Sequence, residues 1–179
     1  MNYSIKFIFL FILLLDISFV VGQSTQEAKK NLVENPKFEA RIDRLLSESV
    51  DFISVDSLSK LRSDFVLLDT REKEEFDVSH IPNALYFGYR DLDYSVLKNI
   101  ENNTTVVVYC SIGYRSEKIG EKLKRMGFTN VFNLYGSIFE WANQAHPLED
   151  VKGLPTQKIH GYNKKWSKWI TNKNAEVTY

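Results

Sequence analysis

One cysteine stands in the chain, at position 110, and its neighbours make it a candidate nucleophile. Val106-Val107-Val108-Tyr109 is a short unbroken apolar run that ends at Cys110. Such runs mark strands buried on both faces of a parallel sheet. Ser111, Ile112, Gly113, Tyr114, Arg115 and Ser116 follow, and then Ile119, Leu123 and Met126 fall on one helical face. The thiol is therefore expected on a strand–loop–helix turn. Successive N–H groups of a glycine-containing turn curl into an anion-binding nest. The N-terminus of the following helix adds further N–H groups and the positive end of its dipole. A thiol in that cradle is acidified below its free value of about 8.5, and the thiolate is the nucleophilic form. Arg115 supplies a fixed cation with a planar fork of donors. The expected chemistry is nucleophilic attack by Cys110, with the Ser111 to Ser116 loop stabilising the thiolate or a larger anion attached to it. Counted alone, a single cysteine reads first as a small buried residue of no consequence. It does exclude an intramolecular disulfide framework and a multi-cysteine zinc site.

The elements that must position this loop alternate along the chain. Phe65-Val66-Leu67-Leu68 runs into Asp69-Thr70-Arg71, a second buried strand. Ala84 to Phe87 and Val131 to Leu134 read as two more, and Asp51 to Val55 as an edge-like first strand. Helices are expected over Phe38 to Ser49, over a short segment capped by Asp56 and carrying Leu58 and Leu61, and over Leu92 to Ile100, Arg115 to Met126 and Gly136 to Ala145. The alternation predicts an α/β domain with a small parallel sheet of about five strands. Ligands of such sheets sit beyond the carboxyl ends of the strands, where Asp69, Arg71 and Cys110 all fall.

Several motifs resemble the rhodanese-like family. Cys110-Ser111-Ile112-Gly113-Tyr114-Arg115-Ser116 after a valine-rich strand looks like its active-site loop. Asp69-Thr70-Arg71, Glu75-Phe76 and Ser79-His80-Ile81-Pro82-Asn83-Ala84 resemble its Asp-x-Arg, Glu-Phe and Gly-His-Ile-Pro-Gly-Ala segments. Gly127-Phe128, Val131, Leu134-Tyr135-Gly136-Ser137 and Trp141 resemble its closing segment. Ser79, Asn83 and Ser137 replace family glycines, which bears on loop shape rather than on the thiol. The resemblance spans roughly residues 51–145. It implies a rhodanese-like fold, with helices on both faces of the sheet, and sulfur transfer. Cys110 would take the outer sulfur of a small anionic donor such as thiosulfate, hold it as a persulfide, and pass it to a thiol or a cyanide-like acceptor. Ser111, Ile112, Gly113, Tyr114, Arg115 and Ser116 would form the binding cradle, with Arg115 binding the donor or orienting the loop. Asp69 would support the loop and Arg71 would brace it or contact substrate. No cofactor is implied. Related phosphatases carry one more loop residue between their Cys and Arg, and the shorter loop here fits one sulfur better than a phosphate. A non-enzymatic sulfur-carrier or partner-binding module remains the alternative. A pair between Cys110 and His80 can be drawn, but in the family this histidine is a structural turn residue.

The composition sets the outer bounds. In 179 residues there are 23 Lys+Arg and 23 Asp+Glu, so the formal charge is zero. A nucleic-acid binder would show a basic excess, and no nucleic-acid partner is expected. Ile5 to Val21 is almost wholly apolar, with Lys6 near its start and Gly22 just after it. This pattern reads as a secretory signal peptide over residues 1–22. Asp16 interrupts the run, and a central Asp costs about 2.5–3.5 kcal/mol in a spanning helix, so an uncleaved anchor is the second reading. The expectation is a periplasmic or secreted protein without membrane contact after cleavage. Residues 23–50 read as a polar leader with a short helix, 51–148 as the catalytic domain and 149–179 as a tail. The tail's Trp166, Trp169 and lysines are expected to pack back on the domain rather than bind a membrane surface.

Overall fold

The computed structural model describes residues 32–61 and 64–179. The apolar run read as a signal peptide lies outside the described residues. Five strands, β1 (Asp51–Ile53), β2 (Val66–Asp69), β3 (Leu85–Tyr86), β4 (Thr105–Tyr109) and β5 (Asn130–Leu134), form one sheet. Their order is β1-β5-β4-β2-β3 and every neighbouring pair is parallel. The strand that leads to Cys110 is therefore the central one. The helices are α1 (Pro36–Asp43), α2 (Val55–Lys60), α3 (Lys73–Val78), α4 (Tyr114–Arg125), α5 (Ser137–Asn143) and the single turn α6 (Lys164–Ser167).

The apolar runs form strands because both of their faces are covered. Alternation along β4 sends Val107 and Tyr109 to one side and Val106 and Val108 to the other. The first side packs on Phe38 and Ile42 of α1, Val55 and Leu58 of α2, and Ile138 and Phe139 of α5. The opposite side packs on Ile119 and Leu123 of α4. This is the α/β architecture with helices on both faces that the alternation of elements implies. Helix α4 ends with Lys122, Lys124 and Arg125 in its last turn, and Gly127 follows at φ 104°. Cations there meet the negative end of the dipole and the glycine admits the left-handed stop.

Three local expectations are corrected. Leu92 to Ile100 does not form an α-helix. A 3₁₀ turn at Tyr94–Leu97 stands there, because the Asp93 carboxylate accepts the Ser95 N–H and the backbone bonds span three residues. The helix carrying Leu58 is capped by Ser54, whose hydroxyl accepts the Ser57 N–H, so Asp56 lies inside the first turn. Helix α1 starts earlier than expected, with Asn35 as its cap and Pro36 at its first position, and it stops at Asp43.

Residues 32–179 form one compact unit. Beyond α5 the chain makes β6 (Leu148–Glu149) antiparallel to β7 (Pro155–Thr156), and β8 (Lys158–His160) parallel to β9 (Glu176–Thr178). Helix α6 lies between β8 and β9. Ile159 is fully buried, and Trp169 stacks on Phe38 of α1 with ring centroids 5.4 Å apart. Trp166 and Trp169 thus pack on the domain, and the segments that precede and follow the sheet in the chain meet on one face of it.

Candidate active site

The parallel register of β2 and β4 sets Asp69 opposite Tyr109, so Thr70-Arg71 and Cys110 emerge side by side at the carboxyl edge. Cys110 is 1% exposed. Its N–H donates to Ser137 Oγ at 3.2 Å, and that hydroxyl donates to the Leu134 carbonyl at 3.0 Å. Orphan N–H groups of the first turn of α5 do the rest: Ile138 bonds the Cys110 carbonyl and Phe139 the Ser111 carbonyl, each at 3.2 Å. The base of the loop is thereby tied to a helix start.

The sulfur is held from the other side by the start of α4. Gly113 has φ 117°, a conformation that excludes other residues without strain, and its N–H donates to Cys110 Sγ at 3.2 Å. Ser116 Oγ lies 3.5 Å from Sγ, 3.0 Å from the Gly113 carbonyl and 2.7 Å from Asn133 Oδ1. A hydroxyl has one proton, so Ser116 serves these acceptors one at a time. Asn133 Nδ2 donates to the Gly113 carbonyl at 3.0 Å, which fixes which amide atom faces Ser116. Burial alone would push the Cys110 thiol up. The Arg115 charge, the Ser116 hydroxyl and N–H and the Gly113 N–H outweigh it, and the thiol stands below its ordinary value.

Arg115 is not a free cation. Its two Nη atoms donate to Glu75 Oε2 at 2.6 Å and Oε1 at 2.8 Å, and Nη2 also donates to Ser111 Oγ at 2.9 Å. Ser111 Oγ in turn donates to Glu75 Oε1 at 3.1 Å. Glu75 comes from α3, so this fork ties the thiol loop to the helix that follows β2. Asp69 takes the Arg71 backbone N–H and its guanidinium, and Arg71 Nη2 donates to the Ser79 carbonyl at 2.6 Å. Arg71 is wholly buried and lies 5.8 Å from the Tyr109 ring centroid.

A cavity of about 260 Å³ opens over the sulfur, lined by Cys110, Ser111, Ile112, Tyr114, Arg115, Leu45, Tyr162 and Trp166. Of the residues expected at the site, Gly113 and Ser116 hold the thiol without lining the cavity, and Asp69 and Arg71 pair with each other beside Tyr109 and do not line it. His80 packs face to face on Phe76 at 3.9 Å, with Nε2 3.5 Å from Glu149, and does not line the cavity.

Six contributors, Glu75, Ser137, Asn133, Leu45, Tyr162 and Trp166, do not stand out as site residues in the sequence. Glu75 was visible only as a motif letter. Ser137 stands where the family carries a glycine, yet it keeps the left-handed backbone at φ 52° and adds the hydroxyl that takes the Cys110 N–H. Asn133 is a polar residue inside an apolar strand, a signal in principle. Leu45, Tyr162 and Trp166 carry no site signal, since nothing local says that segments before and after the sheet reach the thiol.

Known relatives share a domain with this chain but differ in named activity; one is tRNA uridine(34) hydroxylase of Aster yellows witches'-broom phytoplasma, 32% identical over 127 residues and covering 68% of this chain and 40% of that protein. The sequence model of the rhodanese-like domain matches residues 54–144, just over half of the chain. The chain is 29% identical over 107 residues to thiosulfate sulfurtransferase GlpE of Coxiella burnetii, covering 59% of this chain and 96% of that protein. It is 26% identical over 132 residues to the adenylyltransferase and sulfurtransferase Uba4 of Ogataea parapolymorpha, covering 72% of this chain and 34% of that protein. The chain thus spans about a third of the length of this last relative. Among solved structures, thiosulfate sulfurtransferase from Pseudomonas aeruginosa superposes with a TM-score of 0.54 at 22% identity, over 65% of this chain and 23% of that one. At that identity the likeness is one of fold.

Proposed function

This chain belongs to the rhodanese-like family, and from that premise we propose that it is a sulfurtransferase whose Cys110 carries a sulfane sulfur as a persulfide. The Cys110 thiolate attacks the outer sulfur of a thiosulfate-like donor. The donor S–S bond breaks, its electron pair leaves with the sulfite-like fragment, and Cys110 becomes Cys–S–S⁻. A thiophilic acceptor, a thiol or a cyanide-like anion, then attacks the outer sulfur and the electron pair returns to Cys110 as thiolate. No cofactor enters either step.

The observation that carries this reading is the acidified thiol at the floor of the cavity, with the Gly113 N–H 3.2 Å from the sulfur and Arg115 beside it. Ser111 to Ser116 cradle the added sulfur, Arg115 orients the loop through Glu75, and Asp69 with Arg71 braces it. The sulfurtransferase names of two relatives support the same reaction class. Intact-mass spectrometry after incubation with a sulfane donor tests it. The expected result is a gain of one sulfur atom, absent in Cys110→Ala; no gain overturns the reading and leaves a partner-binding module in its place.

We propose further that the apolar run over Ile5 to Val21 directs this activity outside the cytoplasm, periplasmic or secreted. N-terminal sequencing of the exported protein is expected to start after Gly22, and retention of the full chain in the membrane would point to an anchor instead.

A further inference from the structure

We propose that the aromatic wall formed by Tyr162 and Trp166 makes this site selective for sulfane donors that bear a single charge and an apolar, preferably aromatic, flank. The inference rests on Cys110 being the sulfur carrier and adds to it the class of molecule served.

Charge is the first observation. Arg115 is the one cation among the described residues that line the cavity, and its fork is already closed on Glu75. With Cys110 as thiolate, the Cys110, Arg115 and Glu75 cluster holds two negative charges against one positive charge. Asp69 and Arg71 cancel each other. A donor arriving as a dianion therefore meets a centre that is itself net negative, relieved only by the partial positive charge of a helix start. A donor with one charge meets half of that repulsion.

The second observation is the wall. Leu45, Ile112, Tyr114, Tyr162 and Trp166 give the cavity apolar and aromatic sides well beyond the space one sulfur needs. Leu45, Tyr162 and Trp166 all lie outside residues 54–144, the part shared with the family. The wall is built to stay in place. Gly161 admits no side chain, since a Cβ there would stand 2.6 Å from that of Ser167. Tyr162 then turns through a left-handed backbone at φ 60°, and its N–H donates to His160 Nδ1 at 3.1 Å. Its ring lies 5.0 Å from the Arg115 guanidinium, and the Trp166 ring carries Arg41 at 5.1 Å. Tyr162 is nonetheless 46% exposed while it lines the cavity, so it is not wholly covered by its own domain. Aromatic guests gain from such rings beyond their buried area.

Three donors separate the two contributions. Benzenethiosulfonate is a monoanion with a ring, methanethiosulfonate a monoanion without one, and thiosulfate a dianion. Each gives its outer sulfur to the Cys110 thiolate, with benzenesulfinate, methanesulfinate or sulfite leaving on the electron pair. Cyanide then takes the sulfur from the persulfide as thiocyanate, which is the readout. In the wild type, kcat/KM is expected to be about tenfold higher for benzenethiosulfonate than for thiosulfate, a difference of the size one pocket contact makes, with methanethiosulfonate between them. Tyr162→Gly, which keeps the left-handed backbone, is expected to shrink the benzene-over-methane ratio several-fold. Tyr162→Lys is expected to shift the balance toward thiosulfate. Thiosulfate equal to or better than benzenethiosulfonate in the wild type overturns the proposal, as does a benzene-over-methane ratio of one. The wild-type comparison decides this even if a variant folds poorly. If none of the three donors yields Cys110-dependent thiocyanate, the carrier reading itself falls, and that outcome is distinct from a failed preference.

Discussion

Glu75 closes both oxygens on the guanidinium of Arg115, at 2.6 and 2.8 Å, and so ties the helix after β2 to the loop that holds the thiol. Both side chains are largely withdrawn from water, with 3% and 12% of their surface exposed. A pair of this kind is weak evidence for net stability, but removing one partner leaves a charge stranded in a poor dielectric.

Glu75→Gln is therefore expected to lower folding stability by about 3 kcal/mol, read from the midpoint of denaturant unfolding. Burial alone would raise the Glu75 carboxyl, and the Arg115 bond and charge outweigh it, so it stands below the ordinary carboxylate value. On acidification the unfolded chain takes up this proton before the folded one. The contribution is complete above the ordinary carboxylate value and is lost as pH falls through the folded value. The wild type should thus lose stability across that acid window, and Glu75→Gln should show a flatter acid limb. An equal slope in both proteins would exclude Glu75 as its source.

The acidity of Cys110 gives a second test. Burial works against the thiolate, and the Arg115 charge is the largest influence in its favour. Arg115→Met is expected to move the pH profile of Cys110 alkylation by iodoacetamide to higher pH. Ser116→Ala should move it the same way by less, since it withdraws a single neutral donor. A profile unmoved by Arg115→Met would mean that the Ser116 hydroxyl and the backbone N–H groups set the acidity without the guanidinium.

Ser137 gives the third. Ser137→Ala keeps the left-handed backbone but leaves the Cys110 N–H buried without a partner. Such an orphan donor costs about 1–3 kcal/mol, so the variant should melt lower and its thiol should react with a broader spread of rates. Unchanged stability would show that another acceptor takes over the N–H.

Much of the frame could be read from residue order alone. The Val106 to Tyr109 run, the thiol at its end, and the Ile119–Leu123 face each depend on local pattern, and each stands where pattern puts it. Leu92 to Ile100 misled because apolar spacing alone does not outweigh a cap such as Asp93, which favours a tight turn. The role of Glu75 was hidden for a different reason. Its partner lies 40 residues away, and only the parallel register of β2 with β4 brings them together. Leu45, Tyr162 and Trp166 were hidden further still, because they reach the cavity by tertiary folding of segments with no shared periodicity.

The contact of Trp169 with Phe38 joins the C-terminal tail to the first helix. As the chain emerges amino end first into the compartment where it folds, the thiol loop can settle once β5 and α5 have appeared, whereas Tyr162 and Trp166 arrive later. For that interval the nucleophile sits in an open vestibule. A polypeptide truncated before Gly161 would keep its reactive sulfur and lose the gatekeepers that face it.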